Sequence, residues 1–400
     1  MGYIVGRFRR FCGFVTGLVF FASGIVKLLD PVGAGLVMDE YFNFMHLGFL
    51  SFSAKAAGTT FAFAEAVIGT ALITGVSRKV TGAAALAFQA FFTLLTLALV
   101  IFNPEMDCGC FGEAIHLTHM QTFIKNLILI ALICITVFPA DNPGAPRKRK
   151  MVSFGIVTTA VAAFTIYSWL YIPMVDFTDF KPRVELAAGD TSSEDMYEAI
   201  FIYEKDGQQK SFDLENLPDS SWTFVSTETV LKKDVSAPVS LSFTDKEGEY
   251  QDSKAAYGNV IVISVYDTDM GKSRWMRTSR FIRNAEDAGF RVLLLAASAP
   301  EGMNQILLDL PEDDAAVIGK VLYYSDFKSL ITLNRSNAGA TYFHDGMLIR
   351  KWAQRALPDK DKLHEMAREH AIETNIDKDT KGSLAFQGFL LYVFAVMLLL

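Results

Sequence analysis

Five long apolar runs crowd into the first 172 residues of this 400-residue chain: Phe11–Leu29, Ala56–Gly75, Val80–Phe102, Met120–Phe138 and Val152–Ile172. Each is close to the ~20 residues a helix needs to cross the hydrocarbon core of a bilayer. A backbone in lipid must satisfy its own hydrogen bonds, so such runs can only be helices. A shorter run, Leu384–Leu400, is marginal in length and reads as a tilted or truncated sixth span. Met1–Arg10 is short and basic, as in a secretory signal. The apolar run after it is too long for that, however, and no small-residue cleavage site follows, so it is read as a retained first span. A hydrophobic content of 51% excludes an ordinary soluble enzyme.

Charge is divided as unevenly as hydropathy. Residues 1–172 carry 12 Lys/Arg against 8 Asp/Glu, and residues 173–400 carry 25 against 36. A basic, apolar front and an acidic, polar back predict a membrane domain followed by a soluble one. Nothing is basic enough to suggest nucleic acid, which leaves the lipid bilayer as the first partner. Three basic clusters, Arg7/Arg9/Arg10, Arg78/Lys79 and Arg147–Lys150, mark alternate loops and predict that those loops face the cytoplasm. The Asp30–Lys55 loop, the loop around Cys108 and the whole of Pro173–Lys381 then lie on the opposite face. In a bacterium this is a multi-pass inner-membrane protein with its soluble domain in the periplasm, where disulfides persist.

The soluble part divides near Gly248–Gly258. Before it, Ala199–Glu204 and Trp222–Thr227 read as strands around the turn signal Lys205-Asp206-Gly207. After it, strands at Asn259–Tyr266, Arg291–Ala297 and Val321–Tyr324 alternate with helices at Ser273–Ala288, Gly302–Leu310 and Phe327–Asn334. A hairpin of Ala340–His344 and Met347–Trp352 turns at Asp345-Gly346, and a helix over Asp359–His370 closes the domain. Parallel strands joined by helices, then a hairpin and a final helix, describe an α/β thioredoxin-like sandwich. An active domain of that kind needs Cys-x-x-Cys where the first strand meets its helix. Here the place reads Asp267-Thr268-Asp269-Met270-Gly271-Lys272, and the loop Asn337–Thr341 lacks the usual proline. The domain is therefore expected to bind, shield or position a client rather than to exchange thiols.

Chemistry is expected elsewhere, at Cys108-Gly109-Cys110 between the third and fourth runs. Two thiols one residue apart can form a constrained, labile disulfide, staple a turn, or share a soft metal. The metal reading would draw on His116 and His119 as well. Cys12 and Cys134 fall at the far ends of their spans and read as apolar packing. Glu65 lies deep in the second run, where a carboxylate is costly unless paired, protonated or lining a polar cavity. Lys27, near the outer end of the first run, is its natural partner, or else a snorkelling lysine. Such a pair can hold the bundle together or bind a polar head, for which a quinone carbonyl is the candidate.

With these residues in view, the front of the chain resembles the MauE/DoxX family of redox-associated bacterial membrane proteins. The resemblance rests on Phe21–Pro31 (FASGIVKLLDP), on Glu65 and on Cys108-Gly109-Cys110-Phe111-Gly112, and covers about residues 1–140. It implies a four-helix membrane bundle that supports disulfide formation or maturation of a periplasmic protein, with a thioredoxin-like partner here fused in cis. Vitamin K epoxide reductase has a similar bundle, but its membrane Cys-x-x-Cys is absent. The expected organisation is a four-helix bundle (1–140), a basic loop and fifth span (141–172), a β-rich segment (173–257), a thioredoxin-like domain (258–381) and a sixth span (382–400). Cys108 and Cys110 are expected to be catalytic, with Lys27 and Glu65 holding a cofactor and with a periplasmic client or thiol partner. The rival readings are a non-enzymatic scaffold and a metal-handling protein.

Overall fold

The computed structural model describes residues 2–104, 106, 108–113, 117–138, 148–187, 197–205, 208–212, 222–231, 239–368 and 384–397. The chain divides into two compact units, residues 1–178 with 377–400, and residues 179–376. Arg147, Asp206, Gly207 and the metal candidate His116 lie outside the described residues.

The first unit is helical. Its helices are α1 (Gly2–Leu29), α2 (Pro31–Phe44), α3 (Ala54–Thr74), α4 (Arg78–Phe102), α5 (His119–Val137) and α6 (Lys148–Leu170). Among the described residues five helices are long and apolar enough to span: α1, α3 with the turn before it, α4, α5 and α6. The apolar helix Leu384–Met397 is shorter. It packs in the same unit, with Phe394 edge-on to Phe21 and Phe389 stacked on Phe164.

The Asp30–Lys55 segment, expected as a loop, is mostly helical. Asp30 caps α2 by accepting from Gly33 N at 3.0 Å, and Pro31 sits at the first helical position. The proline that stops α1 therefore also starts α2, because its missing N–H costs nothing there. A 3-10 turn, Gly48–Ser53, leads into α3.

α1 and α3 meet through small residues. A Cβ on Gly24 would lie 2.6 Å from Ala66 N and 2.7 Å from Ala62 O, so only glycine allows the backbones this close. Farther along the same seam, a Cβ on Gly17 would lie 2.9 Å from the Gly69 carbonyl. On the other side, Asn126 Nδ2 donates to Thr96 Oγ1 at 3.1 Å and ties α5 to α4.

The second unit holds two sheets. Its strands are β2 (Tyr197–Lys205), β3 (Gln208–Phe212), β4 (Thr223–Leu231), β5 (Asn259–Val265), β6 (Arg291–Ala296), β7 (Leu322–Tyr324), β8 (Gly339–His344) and β9 (Met347–Trp352); the four-residue β1 (Cys110–Glu113) belongs to the first unit. The helices are α7 (Ser253–Ala256), α8 (Lys272–Asp287), α9 (Pro300–Leu308), α10 (Glu312–Lys320), α11 (Phe327–Leu333) and α12 (Lys360–Arg368). One sheet is antiparallel in the order β3-β2-β4, and the other is mixed in the order β7-β6-β5-β8-β9. β5, β6 and β7 run parallel, and β8 and β9 form the antiparallel edge. Both faces of the mixed sheet are covered, which explains the unbroken apolar run of β5. Ile261, Ile263 and Val265 enter one core with Trp275 and Ile282 of α8. Val260 and Val262 enter the other with Leu330 and Leu333 of α11. Sequence reading missed β3 and α10, both short and rich in polar residues.

Candidate functional site

The close approach at Gly24 fixes what lies one turn beyond it. Lys27 and Glu65 face each other across the α1–α3 seam, with Lys27 Nζ 2.6 Å from Glu65 Oε2 and both side chains largely buried at 19% and 11% exposure. The lysine also donates to Ser23 Oγ at 3.3 Å, and that hydroxyl donates to the carbonyl of Cys110 at 2.7 Å. A continuous hydrogen-bonded path thus runs from the Glu65 carboxylate to the cysteine loop.

The loop is held a second time from α2. Tyr41 Oη donates to the carbonyl of Cys108 at 2.8 Å. Burial pushes the Tyr41 phenol well above its ordinary pKa, and nearby Cys110, Cys108 and Glu40 add to the effect, so it stays a protonated donor. Gly109, between the thiols, has φ +58 and packs so closely on Val37 that a side chain there would collide with it. Both conditions demand glycine at the centre of the motif. Cys108 is buried and Cys110 half-buried, both as thiols.

These groups surround one cavity of about 70 Å³, several times what a single water needs. Lys27, Glu65, Cys108 and Cys110, named from separate parts of the sequence, all line it. His119 does not: its Nε2 lies 2.9 Å from the carbonyl of Met106 and it begins α5 behind the Thr118–Gln121 capping box. Among the described residues no three His, Cys, Asp or Glu side chains gather to hold a metal. Sequence reasoning missed Tyr41, Gln89, Lys125 and Asn126 in the wall. Three of them were detectable as polar residues inside apolar runs, a cost that lipid imposes for a reason.

Residues 5–139 match the family model of the methylamine utilisation protein MauE. The MauE match takes in every residue that lines the cavity. With its apolar helices it makes the chain a multi-pass membrane protein, and a membrane accessory role accords with it. A second model, a domain of unknown function (DUF8463), matches residues 197–234, which hold the three-stranded sheet. No curated protein and no solved structure matches the chain.

In the second unit, the place expected to have lost its cysteines is tightly pinned. Asn337 Oδ1 accepts from Tyr266 N at 3.0 Å and Asp267 N at 3.1 Å, while its Nδ2 donates to Asp267 O at 2.6 Å. Arg274 donates to the Asn337 carbonyl at 3.0 Å. Two loops that flank the start of α8 are thereby locked together without any thiol.

Proposed function

We propose that the protein is an inner-membrane accessory of thiol–disulfide chemistry, in which Cys108 and Cys110 cycle between dithiol and disulfide. The observation that carries this reading is the shared cavity: both cysteines and the Lys27–Glu65 pair line it together. In exchange with a partner dithiol, a partner thiolate attacks the Cys108–Cys110 disulfide. The mixed disulfide resolves, and two electrons pass to the pair, which leaves as two thiols. The two hydroxyls on the flanking carbonyls, from Ser23 and Tyr41, orient the loop in this scheme.

The basic clusters support a periplasmic cysteine loop and a soluble unit on the same side. The strand order and mixed polarity of the five-stranded sheet support a thioredoxin-like sandwich for residues 258–381. The locked, cysteine-free loops of that unit favour client binding over exchange. The experiment is acid-quenched alkylation of cells before and after a reductant pulse, with Cys108→Ser and Cys110→Ser as controls. The pair is expected to change state, and each single variant to lose function while keeping expression. A pair that never changes state, together with a functional double serine variant, would end the reading.

A further inference from the structure

The cavity has walls of two kinds, and one polar residue in it has nothing to do. Gln89 is 5% exposed and lines the cavity. Its backbone carbonyl accepts from Thr93 at 2.6 Å, but among the described residues its side-chain amide has no hydrogen-bond partner. Its amide is therefore available to a ligand, whereas Asn126 Nδ2, also in the cavity wall, already donates to Thr96. Gln89, Lys27 and Glu65 all line this one cavity.

The apolar wall is aromatic. Phe61, Phe88 and Phe92 line the cavity, with ring centroids 4.8 Å apart for Phe88–Phe92 and 5.7 Å for Phe61–Phe92. The layer continues to the outer face of the bundle, where Phe91 stacks on Phe61 at 6.2 Å. Phe61 is 36% and Phe91 49% exposed, which in a membrane-spanning bundle means exposure to lipid. An aromatic strip between α3 and α4 thus connects the polar pocket to the bilayer.

We propose that this cavity takes the headgroup of a lipid-soluble quinone, which enters between α3 and α4 past Phe61 and Phe91. A flat ring suits the phenylalanine wall, carbonyl oxygens suit the Gln89 amide and Lys27 ammonium as donors, and an apolar tail suits the strip that reaches lipid. Glu65 beside Lys27 offsets its charge, so a neutral carbonyl fits better than a fatty-acid carboxylate. The inference deepens the thiol-exchange reading and rests on it for one step. In that step Cys108 and Cys110 form an S–S bond, and their two electrons and two protons reduce the quinone to its hydroquinone.

The test is calorimetric titration of decylubiquinone into the full-length protein in lipid nanodiscs, with free thiols in each sample counted by alkylation. Saturable binding is expected. Gln89→Leu should weaken it about tenfold, the equivalent of one lost hydrogen bond. Phe92→Leu, which removes a ring but keeps an apolar side chain, should weaken it independently should the first variant misfold. Absence of saturable binding by the wild type, or affinity unchanged in both variants, overturns the proposal even if the thiols cycle with dithiothreitol. Saturable, Gln89-dependent binding that leaves both thiols reduced upholds the ligand site and overturns the electron-transfer step alone, while the partner-exchange reading stands or falls by the alkylation experiment.

Discussion

Removing one partner of the Lys27–Glu65 pair should hurt far more than removing both. At 2.6 Å and an effective dielectric of about 20, the attraction between unit charges is on the order of 6 kcal/mol. Withdrawing two ions from water costs several kcal/mol each, so the pair roughly breaks even against an apolar replacement. Lys27→Met removes the attraction but leaves the Glu65 carboxylate 11% exposed on the α1–α3 seam, and the expected loss is about 3–5 kcal/mol. Lys27→Met combined with Glu65→Leu should recover most of that and unfold within about 1 kcal/mol of wild type, or above it. Equilibrium unfolding in mixed detergent micelles, read as a double-mutant cycle, measures both. Additive losses in the two single variants, with no recovery in the double, would refute the picture of a mutually dependent buried pair.

Two further outcomes follow from other parts of the structure. Asn337→Ala removes three hydrogen bonds between the loops flanking the start of α8 and should cost the second unit about 2–3 kcal/mol. Urea unfolding of residues 179–376 expressed alone measures it, and an unchanged midpoint would mean the loops are not held by that side chain. A cysteine placed at the exposed Ser240 should react with an impermeant maleimide from outside intact spheroplasts. Labelling only after lysis would reverse the orientation drawn from the three basic clusters.

The parts of the fold that were legible in advance are those where one physical signal dominates. The five long apolar runs became α1, α3, α4, α5 and α6, within a few residues except that α1 begins nine residues ahead of Phe11 and takes in the basic Arg7–Arg10 segment, because lipid leaves a spanning backbone no alternative to a helix. The hairpin at Asp345-Gly346 was equally plain: φ values of +46 and +77 are the geometry those residue types favour. α2 was not legible. Its fourteen residues are too few to span, and Asp30-Pro31 reads equally as the end of one helix or the start of the next. At the site, Lys27, Glu65 and the cysteines stood out as costly or reactive residues, and the cavity they share was not visible in any one stretch. Gln89 went unnoticed because a single neutral amide hardly interrupts a 25-residue helix of high hydropathy.

The glycine–alanine seam between α1 and α3 also bears on how the chain is made. Lys27 emerges with α1, but the carboxylate that partners it is synthesised 38 residues later, in α3. Until then α1 carries an uncompensated ammonium, a penalty of roughly 3 kcal/mol were it placed at mid-bilayer. Glu65 would bring a similar burden if α3 entered alone. Insertion of either helix by itself is therefore discouraged, and their docking through Gly24, Ala62 and Ala66 relieves both. The first stable object in the membrane is then this helical pair, and α4 and α5 assemble onto a polar site already half built.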